Sequence, residues 1–333
     1  MKRMRTTNVT NTLHHPLDYY FSIFIRAKQV EGLKPRTLKD HESHYKYLKL
    51  WLVKHYPTLK LEELTADHVR QYLHYMLNER TQYENHPTLE KHSHKQGLSP
   101  ATVNIRTRTL RCFLKFLHDE KYLQENFAKR LRLQKVEEDT IGAFTKEEML
   151  LLLSQPNQRE YTGFRDYALM LMLLDTGMRI NEALQMQVNH IDFNKLLIQI
   201  PASHSKNSKA RTVPITRKTS DLIKTLVDEN NQQFNRVIPY VFLLNNGEPL
   251  TYHQAYSQIK SYGERAGIIS ARVSPHTFRH TFSKMFIMNG GDVFTLQKIL
   301  GHSDIKMCRK YVQMTQNDLT DKHEQTSPIQ IIK

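Results

Sequence analysis

From His15 to about Leu133 the chain carries the period of an α-helix almost throughout. In LDYYFSIFIRAK, RTLKDHESHYKYLKLWLVKHY and TADHVRQYLHYMLNER, apolar side chains recur three or four residues apart, which places them on one helix face. Thr65 and the pair Ser99-Pro100 stand where helices are expected to begin. The polar, His-rich stretch between Arg80 and Ser99 predicts a loop. The pattern predicts a helical N-terminal domain over residues 14–133.

The remainder of the chain mixes helices with short β-branched runs. Residues 134–143 are polar and locally acidic, which predicts a linker, and Thr145 with Glu147 and Glu148 predicts a helix start behind it. NHIDFNKLLIQIPAS and ARTVPIT, separated by HSKNSK, predict a small antiparallel hairpin. Helical patterns surround it. We therefore expect a mainly α fold with a small antiparallel β-sheet, whose second domain spans residues 144–333.

The charge of the chain limits its partners. Its 333 residues carry a net charge of +15, and a balance this basic usually means an anionic polymer as partner, with nucleic acid as the first candidate. The sequence has no apolar run near the length of a membrane span and no apolar region behind its basic start, so no membrane partner is expected. Two cysteines are too few for a disulfide framework. We expect a cytoplasmic protein.

One predicted helix, from Pro100 to about Glu120, has two contrasting faces. Its apolar face is predicted to contain Val103, Leu110, Leu114 and Leu117. Its opposite face is predicted to contain Asn104, Arg108, Arg111 and Lys115. A basic stripe of this kind suits contact with a DNA backbone, and an ordinary solvated face explains it equally well.

Four segments supply residues with reactive or charged side chains. They are TGMRINEAL (176–184), HSKNSKARTVP (204–214), HTFRH (276–280) and LGHSDIKMCRKYVQM (300–314). Arginines can clamp the non-bridging oxygens of a phosphodiester, histidines can move a proton near neutral pH, and a tyrosine hydroxyl can act as a nucleophile. Each residue taken alone also has a structural explanation. Arg179, for example, could simply pair with Glu182.

These segments together resemble the tyrosine recombinase (phage integrase) family of site-specific DNA recombinases, of the Xer and integrase type. The resemblance implies a catalytic set made of Arg179, Lys206, His276, Arg279, His302 and the nucleophile Tyr311. Tyr311 follows His302 by nine residues, and Glu182 matches a supporting acidic position. The turn SKNSK lacks the family's usual glycines, so Lys206 and Lys209 both remain candidates for the general acid.

The resemblance also implies an architecture and a reaction. It implies a two-domain clamp on DNA that cleaves and rejoins strands through a covalent 3′-phosphotyrosine, with no metal or other cofactor. Four protomers would assemble on two recombination sites in integration, excision or resolution. The C-terminal segment, with Ile329, Ile331 and Ile332, would dock on a neighbouring protomer.

Three other interpretations remain open at this point. The chain could be a catalytically inactive DNA-binding relative, or a type IB topoisomerase, whose active-site chemistry is related. A zinc site made of His276, His280, His302 and Cys308 can also be imagined. Arg279 lies between the first two of these histidines and would repel a dication, so we expect no metal.

Overall fold

The chain folds as two units, an N-terminal unit (Met1–Glu138) and a C-terminal unit (Asp139–Lys333). The structure is a computed structural model. It describes residues 14–81, 96–136, 142–204 and 209–301, together with 323, 324, 327 and 329. The domain boundaries predicted from the sequence stay predictions.

The N-terminal unit is built from four α-helices within its described residues. These are α1 (Leu17–Val30), α2 (Pro35–His55), α3 (Ala66–His74) and α4 (Pro100–Asp119). A single π-helical turn, Tyr75–Glu79, extends α3, and short 3-10 turns occur at Leu61–Glu63 and Phe127–Arg130. Most of the predicted loop after Arg80 lies outside the described residues.

The predicted helix starts of this unit are confirmed. The hydroxyl of Ser99 accepts a hydrogen bond from the Thr102 main-chain N–H at 3.3 Å, and Pro100 occupies the first turn of α4. Thr65 precedes α3, where its main-chain N–H donates to the Nδ1 atom of His68 at 3.1 Å. Local capping of N–H groups at helix starts is encoded within three or four residues, which explains why the sequence reveals it.

Aromatic rings fill the core of the N-terminal unit. The rings of Phe21 and Tyr45 stack with centroids 3.8 Å apart and an interplanar angle of 6°. Phe24 and Phe113 pack around this pair with ring centroids 5.3–5.5 Å from that of Phe21. The four apolar residues predicted for the inner face of α4 are all buried, as expected.

The prediction for Asn104 was wrong. Its side chain is 5% exposed and does not belong to the outward face of α4. It donates to the Gln134 carbonyl at 2.9 Å and accepts from the Gln134 main-chain N–H at 2.8 Å. The amide is buried because a stretch of chain 30 residues away satisfies both its donor and its acceptor. Arg108 and Lys115 are exposed and Arg111 is half-buried.

The C-terminal unit combines seven described helices with one small sheet. The helices are α5 (Lys146–Leu153), α6 (Tyr161–Thr176), α7 (Ile180–Leu184), α8 (Arg217–Phe234), α9 (Tyr252–Arg265), α10 (Pro275–Met288) and α11 (Val293–Leu300). The strands are β1 (Ile191–Asp192), β2 (Leu197–Ile200) and β3 (Arg211–Pro214), antiparallel in the order β1-β2-β3. The predicted hairpin is β2 and β3. β1 is an additional strand, separated from β2 by a turn at Leu196 with φ of +57°.

Helix α6 is the centre of the C-terminal unit. Ala168, Leu169, Met170, Met172 and Leu173 are at most 1% exposed, and α6 packs against α8, α9 and α10. The start of α5 is capped as predicted, since the Thr145 hydroxyl accepts from the Glu148 main-chain N–H. The fold is therefore mainly α with a small antiparallel sheet, as the sequence predicted. Within the described residues, every helix is too short or too polar to cross a bilayer.

Candidate active site

Arg179 stands where the chain reverses between α6 and α7. α6 ends at Gly177, whose φ of +58° is in the left-handed region, and Arg179 immediately precedes α7. A Cβ atom on Gly177 would lie 2.2 Å from the ring of Phe282, so both the backbone and the packing require glycine. The reversal leaves the Arg179 side chain 22% exposed, which keeps it accessible at the edge of the core.

Glu182 is the buried acceptor of the site. Its side chain is 1% exposed, and its carboxylate accepts from the Arg179 main-chain N–H at 2.8 Å and from Arg179 Nη1 at 3.1 Å. Arg211 donates to both carboxylate oxygens, through Nη1 at 2.9 Å and Nη2 at 2.6 Å. Burial by itself would raise the pKa of Glu182, but the hydrogen bonds from Arg211 and the charges of both arginines outweigh it, and the pKa is lowered.

Arg211 is a site residue that the sequence interpretation missed. Its side chain is 9% exposed, and besides binding Glu182 it donates through Nε to the Ile299 carbonyl at 2.8 Å. The signal for it was the two-residue period of β3, because Arg211 and the buried Val213 lie on the same face of the strand. A charged residue on an apolar strand face needs a buried partner.

Arg279 binds main-chain carbonyls from two separate segments. It lies on α10 and is 5% exposed. Nη1 donates to the Gly177 carbonyl at 2.8 Å, and Nη2 donates to the Leu300 carbonyl at 2.9 Å. Arg279 thus joins the turn that carries Arg179 to the end of α11.

The first turn of α10 carries His276. Ser274 caps this helix through its hydroxyl, which accepts from the Thr277 main-chain N–H at 3.4 Å, and Pro275 occupies the first turn. His276 is exposed and lies three residues before Arg279 on the same helix, so both side chains lie on neighbouring parts of one face.

Several predicted site residues lie outside the described part of the chain. These are Lys206, His302 and Tyr311, with Cys308, Ile331 and Ile332. Lys209, the other candidate for the general acid, is described and exposed. Ile329 is 71% exposed. The structure brings together Arg179, Glu182 and Arg279 from the predicted set, and it adds Arg211.

The charge balance of this cluster suits a phosphodiester. Three guanidinium groups accompany one carboxylate, so the four side chains carry an excess of two positive charges. Gly301, the residue before His302, packs against Arg211, where an added Cβ atom would lie 2.8 Å from Arg211 Cδ. The cluster therefore has the net positive charge that an anion site needs, and it lies beside Gly301, the residue before His302.

Comparison with known proteins identifies the family. The sequence model of the phage integrase family matches residues 143–318, and that of the phage integrase SAM-like domain matches residues 17–141. The chain belongs to the phage integrase family, the tyrosine recombinases. It is 28% identical over 235 residues to tyrosine recombinase XerD of Staphylococcus haemolyticus, covering 70% of this chain and 78% of the relative.

Two solved structures share the fold. The Tn1549 transposon integrase in complex with circular intermediate DNA is 18% identical, covers 93% of this chain and 99% of its own, and has a TM-score of 0.69. The XerH site-specific recombinase bound to palindromic difH substrate is 18% identical, covers 91% of this chain and 82% of its own, and has a TM-score of 0.65. The two-domain recombinase fold expected from the sequence is confirmed.

Proposed function

We propose that this protein cleaves and rejoins DNA at specific sites through a covalent bond between Tyr311 and the 3′-phosphate. The observation that supports this most directly is the cluster of Arg179, Arg211 and Arg279 with one buried carboxylate. Two of these arginines bind the last carbonyls of α11, immediately before the segment of His302 and Tyr311. Membership of the tyrosine recombinase family supports the same reaction.

In the proposed reaction the Tyr311 oxygen forms a bond to phosphorus while the bond from phosphorus to the 5′-oxygen breaks. Arg179 and Arg279 stabilise the charge that develops on the non-bridging oxygens. His276 and His302 accept or relay the proton of the phenol, whose ordinary pKa is about 10. Lys206, or Lys209 on the same turn, gives a proton to the departing 5′-oxygen. Religation reverses these steps, so the reaction uses no cofactor.

The proposed partner is double-stranded DNA carrying two recombination sites. The net charge of +15 supports contacts with many phosphates. The solved relatives support this class of substrate, since the Tn1549 transposon integrase is in complex with circular intermediate DNA and XerH is bound to a palindromic difH substrate. We propose that the two units bind DNA as a clamp, that four protomers assemble on two sites, and that this takes place in the cytoplasm.

We propose further that the C-terminal segment connects neighbouring protomers. The exposed Ile329 supports this, since an isoleucine at a polar chain end gains from burial elsewhere. A groove of about 780 Å³ in the C-terminal unit is a suitable receptor, because its lining includes Met149, Leu174, Phe282, Met285 and Phe286 beside the polar Lys146, Asp175, Thr281 and Asn289.

A trapping assay on nicked DNA tests the proposed function. The wild-type protein should accumulate a covalent adduct, and Tyr311→Phe should bind the same DNA and form none. Tyr252→Phe removes an exposed hydroxyl elsewhere in the same unit and serves as the control. Adduct formation by Tyr311→Phe would reject the assignment, and binding without any wild-type adduct would indicate an inactive relative. Relaxation of supercoiled DNA that lacks a recombination site would indicate a topoisomerase.

A further inference from the structure

We propose that Arg211 is a positioning residue for recombination. It neutralises Glu182, so that the charge of Arg179 stays available for a phosphate. It also holds the end of α11, which directly precedes the segment that contains His302 and Tyr311. This inference rests on the proposed function.

The contact of Glu182 with Arg211 is more buried than its contact with Arg179. Both guanidinium Nη atoms of Arg211 meet both carboxylate oxygens, at 2.9 and 2.6 Å, which is a bidentate pair. The two side chains are 9% and 1% exposed. Because two desolvated charges persist only with good geometry and complete hydrogen bonding, this pair is held in one arrangement.

This pairing determines how much charge Arg179 can offer to a phosphate. Arg179 also donates to Glu182 Oε1, but at 3.1 Å and from a side chain that is 22% exposed. Without Arg211, the buried carboxylate would pair with Arg179 and would cancel its charge. With Arg211 present, the trio keeps one net positive charge. That charge lies at Arg179, the most exposed of the three side chains.

A second set of contacts connects Arg211 to α11. Its Nε atom donates to the Ile299 carbonyl at 2.8 Å, and Gly301, with φ of +64°, packs on its side chain. The last carbonyls of a helix lack partners within the helix and carry partial negative charge, so a cation there is favourable. One guanidinium therefore joins three places in the sequence, namely β3, α7 and the end of α11. A lysine ammonium lacks the planar fork needed to bind the carboxylate and the carbonyl together.

Four variants separate these two actions of Arg211. Arg211→Gln removes the charge, and Arg211→Gln with Glu182→Gln removes the charge and the carboxylate together. Arg211→Lys keeps a charge for Glu182 but gives up the fork that reaches the Ile299 carbonyl. Arg217→Lys, at an exposed position six residues along, is the matched control. Each protein is tested for DNA binding, for thermal melting, and for single-turnover adduct formation with a phosphate or a neutral methylphosphonate at the scissile position.

We expect DNA binding to stay within about threefold in all variants, while Arg211→Gln lowers the cleavage rate about a hundredfold, as loss of a charge-stabilising donor does. The double variant should recover about tenfold, because Arg179 is no longer neutralised. The defect of Arg211→Gln should shrink on the methylphosphonate, whose missing charge reduces the need for Arg179. Arg211→Lys should bind normally and cleave at least tenfold more slowly, and Arg217→Lys should match the wild type.

Each contrary result has a distinct meaning. Wild-type cleavage by Arg211→Gln, or a defect that neither Glu182→Gln nor the neutral substrate relieves, overturns the inference while leaving the proposed function intact. If Arg211→Gln does not fold, Arg211→Lys decides, and a wild-type rate for that variant overturns the inference. A wild-type protein that forms no adduct overturns the proposed function and this inference with it.

Discussion

The two units of this protein differ in whether they bury carboxylates. Among the described residues, the only buried carboxylates belong to the C-terminal unit, on Asp166 and Glu182. Arg165 donates to Asp166 through Nε and Nη2, and Tyr262 donates to it at 2.8 Å. The core of the N-terminal unit instead contains stacked aromatic rings.

The difference indicates that the buried aromatic rings stabilise their unit, whereas the buried ion pairs hold other side chains in position. Buried aromatic pairs contribute about 0.5–1.5 kcal/mol each beyond the apolar area that they bury. A buried ion pair can contribute nothing compared with an apolar pair of the same volume. Charges retained inside the C-terminal unit are therefore best explained by what they hold in place. In the proposed site they hold Arg179 and the end of α11.

The largest expected effect comes from Arg279→Ala. If Arg279 binds the phosphate as proposed, its loss should lower the rate of adduct formation about a hundred- to thousandfold. It should also destabilise the C-terminal unit by about 1–3 kcal/mol for each carbonyl left without a donor, namely those of Gly177 and Leu300. Single-turnover cleavage and hydrogen exchange of α11 measure the two effects.

Arg272→Ala is the control for this experiment. Arg272 lies just before α10, is exposed, and donates to the hydroxyl of Tyr256 at 2.9 Å. Arg272→Ala should leave both the cleavage rate and the hydrogen exchange of α11 unchanged. Equal losses in the two variants would show that the C-terminal unit responds to the removal of any arginine in this region.

A smaller effect, confined to stability, is expected for Asn104→Ala. This change leaves the N–H and the carbonyl of Gln134 without their side-chain partner, at a cost of about 1–3 kcal/mol to the N-terminal unit. Urea unfolding followed by the fluorescence of Trp51, the single tryptophan, measures it. Asn78→Ala, at an exposed position, is the control. If Asn104→Ala lost cleavage activity while fully bound to DNA, that would contradict the expectation that the change affects only the stability of the N-terminal unit.

Asn104 and Arg211 also show where sequence interpretation ends. The helix starts at Thr65, Ser99 and Thr145 were predictable because their partners lie three residues away. The partners of Asn104 lie 30 residues away, and those of Arg211 lie 29 and 88 residues away. Periodicity places a polar residue on a face, but only the packed chain supplies the group that satisfies it.

The residue types of the proposed site were predictable from the sequence, but the hydrogen bonds that join them were not. The boxes around Arg179 and Arg279 pointed to a phosphodiester, and the simple alternative of a salt bridge between Arg179 and Glu182 is also present in the structure. The salt bridge and the proposed phosphate contact are compatible, because Arg211 takes the larger share of the carboxylate. No local pattern in the sequence relates β3 to the end of α11.

Two partly buried histidines make the stability of the N-terminal unit depend on pH. Burial, with the charge of Lys28 for His41 and of Arg106 for His44, lowers the pKa of both histidines below 6.5, although Asp40 acts in the other direction. Near and below pH 6.5 the unfolded chain therefore binds more protons than the folded unit, so stability falls as pH falls through this range. Unfolding of the N-terminal unit between pH 7.5 and about pH 5 should show this loss.

Replacing both histidines sharpens that measurement. Both rings contact the Thr109 hydroxyl, at 3.1 and 2.8 Å, and glutamine can make a similar bond without titrating. The variant with His41→Gln and His44→Gln should lose stability less steeply below pH 6.5 than the wild type. His14→Gln, whose side chain is 84% exposed, should keep the wild-type slope. An unchanged slope in the double variant would place the titrating groups elsewhere.

The smallest expected effect concerns the outward stripe of α4. Changing Arg108, Arg111 and Lys115 together to Ala should flatten the log–log dependence of DNA binding on salt by about 0.9 for each phosphate that the protein no longer neutralises. Fewer than three phosphates should be affected, because Lys115 already pairs with Asp119 and Arg111 is half-buried.

Changing Lys54, Lys60 and Lys121 to Ala is the matched control, because it removes the same charge from other exposed positions of the N-terminal unit. If both triple variants change the slope equally, the slope reports net charge and the stripe is a solvated face. A flattening specific to the α4 variant would show that exposed cations on this helix of the N-terminal unit bind DNA phosphates.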